Sequence, residues 1–352
     1  MAGTLATTGN ATFSGEIITS TSGTSNVRIG ENAGDAIASG GNYNVVVGDE
    51  AGTALTTGDG NVAIGYEALK TEDANGRNIA IGYQALKTLN TSSTGFNTAV
   101  GYQAGLSMNT GIVNTLIGYQ AGDALTTGNN NVAVGHEALG AEIQGDASVA
   151  VGVGALQNQS NSSDVDVYNT AVGYSAGLNV TTGANNVAIG ASALQSNTTA
   201  SENVVVGYQA GDAITTGSNN VVMGSNALGT NQTGGGNTAV GHYSLNTSTA
   251  SSNTAFGNAS LQYNTTGSSN TAIGDGTLRD TSTGTNNVAV GFRALYENTT
   301  ASDNTALGYA SLYNNTTGAN GVAVGRDALA SNTSGNFNVA LGHSALGANT
   351  TA

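Results

Sequence analysis

The chain has 352 residues, of which 53 are Gly and none are Pro, Cys or Trp; only 8% are charged and 5% aromatic. Zero cysteine excludes disulfides, zinc–thiolate sites and cysteine nucleophiles, and so polar a composition argues against one ordinary globular core. With 7 basic against 22 acidic side chains and a net charge of −15, the chain has no basic patch to neutralise phosphates, which argues against nucleic acid and an anionic membrane surface.

The first element is residues 1–25. MAGTLATTGNATFSG has neither a basic n-region nor an apolar h-region, so no Sec signal peptide is expected. Nor is there a run of about 18 apolar residues to span a membrane as a helix. TLATTGNATFSGEIITS alternates like one or two strands and lacks the pattern that follows. By position it reads as an attachment or capping segment.

From Asn26 onward the chain repeats itself, over a domain covering 26–352. The unit is Asn–x–Ala–aliphatic–Gly–x–x–Ala–Leu/Gly followed by a polar stretch, often Thr-Thr-Gly; NVAIGYEAL from Asn61, NVAVGHEAL from Asn131 and NVAVGFRAL from Asn287 are good copies. Aligned on the central glycine, nineteen copies run from Gly30 to Gly342, with Gly65, Gly82, Gly101, Gly118, Gly135, Gly190, Gly207 and Gly291 among them. Most steps are 17 residues. Those from Gly30 to Gly48, Gly82 to Gly101 and Gly152 to Gly173 are longer, and that from Gly241 to Gly257 is one residue short.

Within each copy, the residue before the glycine and the one two earlier are apolar or Thr, as at Val62 and Ile64. That alternation and the β-branched preference predict a short strand. Both side chains are expected inward as one buried column. The Ala between them, as at Ala63 and Ala80, is expected on an opposite face closely approached by another backbone. The opening Asn suits a ladder of side-chain amides; Ser148 and Gly321 replace it in two copies. The glycine allows a sharp corner. The Ala-Leu after it, as at Ala68 and Leu69, predicts a second inward strand, and Thr-Thr-Gly an outer turn. A helix is excluded because Gly, Asn and Thr at this density each disfavour it by up to ~1 kcal/mol. The fold expected is therefore all-β, a parallel β-solenoid (β-roll) of about nineteen rungs. At ~4.8 Å per rung the rod would be on the order of 90 Å long.

After the glycine comes a column rich in Tyr: Tyr66, Tyr83, Tyr102, Tyr119, Tyr174, Tyr208 and Tyr309, joined by Phe292 and by all three histidines, His136, His242 and His343. It reads as a ladder of rung-to-rung or subunit contacts, and alternatively as an aromatic strip that stacks on sugars. The histidines are too many rungs apart to share a metal within one chain. The long steps place loops at Lys87–Phe96 and Gln157–Tyr168; Asp164 and Asp166 in the second are too few carboxylates for Ca²⁺. Asp35, Asp123 and Asp212 lie rungs apart, which argues against an acid–base pair. The Asn-x-Thr sites at Asn197, Asn264, Asn298 and Asn315 are explained by the turn. With no phosphate loop or Ser-His-Asp signature, neither an enzyme nor any cofactor or metal is expected.

The NVAIG and NTAVG cores resemble the head repeats of trimeric autotransporter adhesins, β-rolls also found in bacteriophage tail fibres. The resemblance runs from about Asn26 to Leu346 and rests on nineteen recurrences. It implies a homotrimer and a structural fibre of a virion, joined to other virion proteins through its N-terminal segment. It further implies possible contact with a host surface glycan and no membrane insertion. The alternative it allows is a bacterial surface adhesin head.

Overall fold

The computed structural model describes residues 22–91 and 93–351. The expected capping segment, residues 1–25, lies outside them except for its last four. Nineteen strands of three residues each follow, from β1 (Val27–Ile29) through β3 (Val62–Ile64) and β10 (Val187–Ile189) to β19 (Val339–Leu341). Each pairs in parallel with the next in exact sequence order, Val62 against Ile79 and Val187 against Val204 being typical. The chain is thus a parallel β-solenoid that winds once per repeat, with all its strands in one sheet.

The phase of the strand corrects the expectation. The middle residue points inward: Ala63, Ala80, Ala99, Ala133 and Ala289 are fully buried. The two flanking residues point outward and are half-exposed or exposed, as with Val62 and Ile64 in β3 or Val187 and Ile189 in β10. The reason is room. A 17-residue coil encloses a narrow interior, and the methyls of the mid-strand Ala and of the Ala three after the glycine already line it. Two inward β-branched side chains on the strand, added to the large residue from the turn, would overfill that space. The Ala-Leu pair is inward, as expected, but as a turn and not a strand. Leu69, Leu139 and Leu295 are fully buried in the left-handed region, at φ of 50°, 55° and 51°. That conformation disfavours a non-Gly residue by ~1–2 kcal/mol, offset by burying the isobutyl group at ~1.5–3 kcal/mol.

Besides the mid-strand residue, which is itself large at Val46, Leu116, Val205 and Val222, a large side chain from the turn fills the bore in either of two places. Where Leu stands four residues after the glycine, the residue three further on is usually polar, as in Leu194/Asn197 and Leu329/Asn332. Where Gly stands there, the large residue shifts three along, as in Gly52/Leu55, Gly105/Met108, Gly177/Val180 and Gly211/Ile214. A Cβ on Gly52 would lie 2.8 Å from Leu55 Cδ1, so the two placements compete for one space there. Among the described residues, only the rung with Leu86 and Leu89 uses both.

Three devices hold the rungs in register. The central glycine turns the corner at φ of +129° for Gly65, where a Cβ would sit 2.4 Å from the Gly82 carbonyl oxygen. The opening Asn residues form a buried ladder. Asn203 N–H donates to Asn186 Oδ1 (3.0 Å), while Asn186 Nδ2 donates to the Ala200 carbonyl one rung on (2.9 Å). In the outer turn the Thr hydroxyls do the same, Thr181 Oγ1 donating to the Thr198 carbonyl at 2.9 Å and Thr215 Oγ1 to that of Gln232 at 3.0 Å.

The insertions are built in by buried glutamates. Glu142 accepts from the backbone N–H groups of Ile143, Gln144 and Gly145 in its own turn (2.9, 3.2 and 2.8 Å). It also accepts from Asn161 N–H (3.0 Å) and Nδ2 (2.9 Å) in the long turn one rung on. Glu72 does likewise one rung before the other long turn, accepting from Thr91 N–H at 3.2 Å. Burial pushes the Glu72 carboxyl above the usual carboxylate range, opposed by the hydrogen bonds from Thr91 and Asn75. Where Ser148 breaks the Asn ladder, buried Gln159 bridges the gap. Its Nε2 donates to Ser148 Oγ (3.0 Å) and its Oε1 accepts from Asn169 Nδ2 (2.8 Å).

Candidate binding surface

The outward strand positions compose one continuous face. Its two columns run Val27, Val45, Val62, Ile79, Thr98 to Val339, and Ile29, Val47, Ile64, Ile81, Val100 to Leu341, without a charged residue in either. Many of these side chains are exposed, Ile117, Val172, Ile189, Met223, Phe256 and Leu307 among them. A patch of two columns along ~90 Å of rod is on the order of 1,000 Å², whereas monomeric proteins rarely expose more than a few hundred. The Ala-rich face expected to be approached closely by another backbone is instead the inner wall of the coil.

The column after the glycine borders this face beyond the corner. Tyr66, Tyr83, Tyr102, Tyr119 and His136 occupy five successive rungs and stack, with centroids 5.3, 5.2, 5.2 and 4.9 Å apart. Each interior ring has a neighbour on both faces, so the solvent meets ring edges and hydroxyls. Tyr174 and Tyr208 stand apart from this stack, flanked in their column by Val153, Ala191 and Ser225. They are 64% and 57% exposed, against 40–45% for the tyrosines of the stack. Tyr309 stacks on Phe292 at 5.3 Å, with the Arg326 guanidinium over it at 5.2 Å. His242 packs against Tyr243 (4.1 Å, tilted) and does not approach the other histidines' rungs.

The glycine column itself (Gly65, Gly82, Gly101, Gly118, Gly135, Gly190, Gly207, Gly291) forms the corner between the face and the aromatic border, each residue at φ between +129° and +147°. In the next column, Glu67, Gln84, Gln103 and Gln120 form a side-chain ladder, Gln84 Nε2 donating to Glu67 (2.7 Å) and Gln103 Nε2 to Gln84 (3.0 Å). Hydrogen bonds from Lys70 and Lys87 hold the Glu67 carboxyl down at about 2. Asp123 and Asp212 are pushed up, by desolvation first. Asp123, Asp212 and Asp35 stay in separate rungs, and no group of three or more His, Cys, Asp or Glu able to hold a metal occurs among the described residues.

Sequence reasoning missed a second aromatic column, five residues after the glycine. It is confined to Tyr296 and Tyr313, which stack at 5.2 Å and 3°. Arg279 stands in the same column one rung earlier, between the Tyr263 and Tyr296 rings (4.9 and 5.2 Å). The signal was present: tyrosine follows the inward Leu in these two successive copies only.

Comparison with known proteins adds no relative: no family model, curated protein or solved structure matches the chain.

Proposed function

We propose that this chain is the shaft of an extracellular fibre, a structural appendage of a virion, in which three copies pack their strand faces around a common axis. The observation that carries this reading is the uncharged face of outward Val, Ile and Thr along the whole sheet. Water contact over that area is unfavourable by ~25 cal/mol per Å². Its size, on the order of 1,000 Å² per chain, reaches that of a stable subunit interface. Straight columns repeating every rung match a second copy better than a compact globular partner. A trimeric rod acts by reach and stiffness, without catalysis. Residues 1–25 join it to other particle proteins, and exposed side chains beyond the corner meet a host surface glycan.

The repeats resemble those of adhesin heads and tail fibres, and the same uncharged face supports the alternative reading, a bacterial surface adhesin head. Native mass spectrometry tests the assembly. The chain is expected as a trimer at micromolar concentration. Ile189→Asp with Val206→Asp, two outward positions on adjacent strands, is expected to release monomers with unchanged β-sheet circular dichroism. A monomeric parent chain would sink the proposal.

A further inference from the structure

Glycine interrupts a column of side chains beyond the corner. Five residues after the central glycine, successive rungs carry Lys70, Lys87, Leu106, Asp123, Gly140 and Gln157. Gly140 contributes no side chain, and a cavity of about 240 Å³ opens between Asp123 in the rung before it and Gln157 in the rung after it. Glu137 faces the cavity from the middle rung, and Gln120 and Asn158 line it from the outer two. None of these residues belongs to the strand face.

Two comparisons within the rod show what the cleft lacks. Gly229 stands at the same position as Gly140, also one rung after an aspartate, Asp212. There the next rung closes the gap, since a Cβ on Gly229 would lie 2.8 Å from Asn246 Nδ2. A Cβ on Gly140 would meet no side chain of another rung closer than Asp123 Oδ1, at 3.6 Å. Lys70 also stands at this position. Its Nζ donates to Glu67 at 2.6 Å and to Glu50, and Glu67 precedes Lys70 by three residues, as Glu137 precedes Gly140. Lys87, one rung on, reaches the same Glu67 at 2.7 Å. Where this column carries lysine it therefore holds an ammonium against a carboxylate. At Gly140 the carboxylate is present without the lysine, and residues 88–278 hold nine carboxylates and no Lys or Arg. Glu137 accepts from Gln157 Nε2 and lies 3.8 Å from His136 Nδ1. Asp123 is raised by desolvation first and also by the nearby charge of Glu137.

We infer that this cleft binds an amino sugar through an unacetylated amine: the ammonium takes the place of the missing lysine between Asp123 and Glu137, and the amides of Gln120, Gln157 and Asn158 meet the hydroxyls. Those amides already donate to Gln103, Glu137 and Asn179, which leaves their carbonyl oxygens to accept from a ligand. A lining of amides and carboxylates suits a polyol better than an alkyl chain. The volume falls below the ~300–1,000 Å³ of ordinary ligand pockets, which limits the occupant to a single small ring. The inference names the kind of glycan and rests on the fibre reading only for where such a sugar would be met; the binding itself is independent of assembly.

Isothermal titration of the full chain with glucosamine, glucose, N-acetylglucosamine and propylamine tests this. Glucosamine is expected to bind at one site per chain, at least ~10-fold more tightly than the other three, each of which lacks the ammonium or the hydroxyls. Glu137→Gln should lower its affinity about tenfold. Gly140→Lys, which restores the arrangement of Lys70 and Glu67, should abolish binding with unchanged β-sheet circular dichroism. Asp212→Asn, beside the filled gap at Gly229, should leave binding as it is. Equal binding of any of the other three compounds, Ca²⁺ bound in place of glucosamine, or undiminished binding by Glu137→Gln or Gly140→Lys would overturn the inference. Native mass spectrometry of the same samples separates the two proposals: a trimer without binding refutes the cleft alone, and a monomer that binds refutes the assembly alone.

Discussion

At the scale of single residues the fold is decided by buried polar groups as much as by apolar ones. The interior wall is lined with Asn, and at the insertions by Glu72, Glu142 and Gln159, all fully buried. The Asn residues and both glutamates satisfy backbone groups that a β-solenoid turn would otherwise leave unpaired, while Gln159 ties together the side chains of Glu142, Ser148 and Asn169. Glu142 is the clearest case because its carboxylate gathers donors from two successive turns. Glu142→Leu leaves those N–H groups without an acceptor and is expected to destabilise the chain by about 3 kcal/mol. Amide exchange should accelerate across residues 143–161 and not in rungs remote from them. Glu202→Gln, at an exposed carboxylate, is the control and is expected to stay within ~0.5 kcal/mol of the parent.

At the scale of the rung, the Leu/Gly alternation is a packing preference: in nearly every rung the turn sends one large side chain inward, from one of two positions. Gly52→Leu is expected to destabilise by about 3 kcal/mol, because the new side chain meets Leu55 and overpacks the bore. Leu55→Asn alone leaves a cavity and is expected to cost about as much. Together they recreate the Leu/Asn arrangement of the Leu194 and Asn197 rung. The double variant is expected to recover most of the loss, a coupling of about 2 kcal/mol or more in a double-mutant cycle by chemical denaturation. Additive losses would show that the two positions do not share one space. Much of the rung is legible in the sequence: the period, the strand before each glycine, the corner at Gly65 and its equivalents, and the Asn ladder. Each recurs nearly every turn, so chance matches cancel. The strand's phase is not legible. Val62, Ala63 and Ile64 alternate equally well either way round, and the bore width that decides between them is a property of the closed coil. The Tyr296–Tyr313 stack is easily passed over for the opposite reason: it occurs once, and periodic alignment averages it away.

At the scale of the whole molecule every rung touches only its two neighbours through the sheet, so stability is a chain of nearest-neighbour terms. A defect in mid-rod should uncouple the two halves. Gly190→Val forces a β-branched residue into φ of +129°, with its Cβ 2.5 Å from the Gly207 carbonyl oxygen. Calorimetry of this variant is expected to show two transitions where the parent shows one, and limited proteolysis should cut first near residue 190. A single transition merely shifted down in temperature would mean that cooperativity extends beyond neighbours.

The stacking of one short strand per turn has a mechanical corollary. Each rung adds only ~4.8 Å to the rod but stores 17 residues, about 60 Å of contour when drawn straight. Bending or compressing such a column works against every hydrogen bond along its side. Pulling it from an end works against a single rung's bonds at a time. A single coil of this kind stands stiff until loaded and then releases its chain turn by turn, lengthening many times over before its last rung opens.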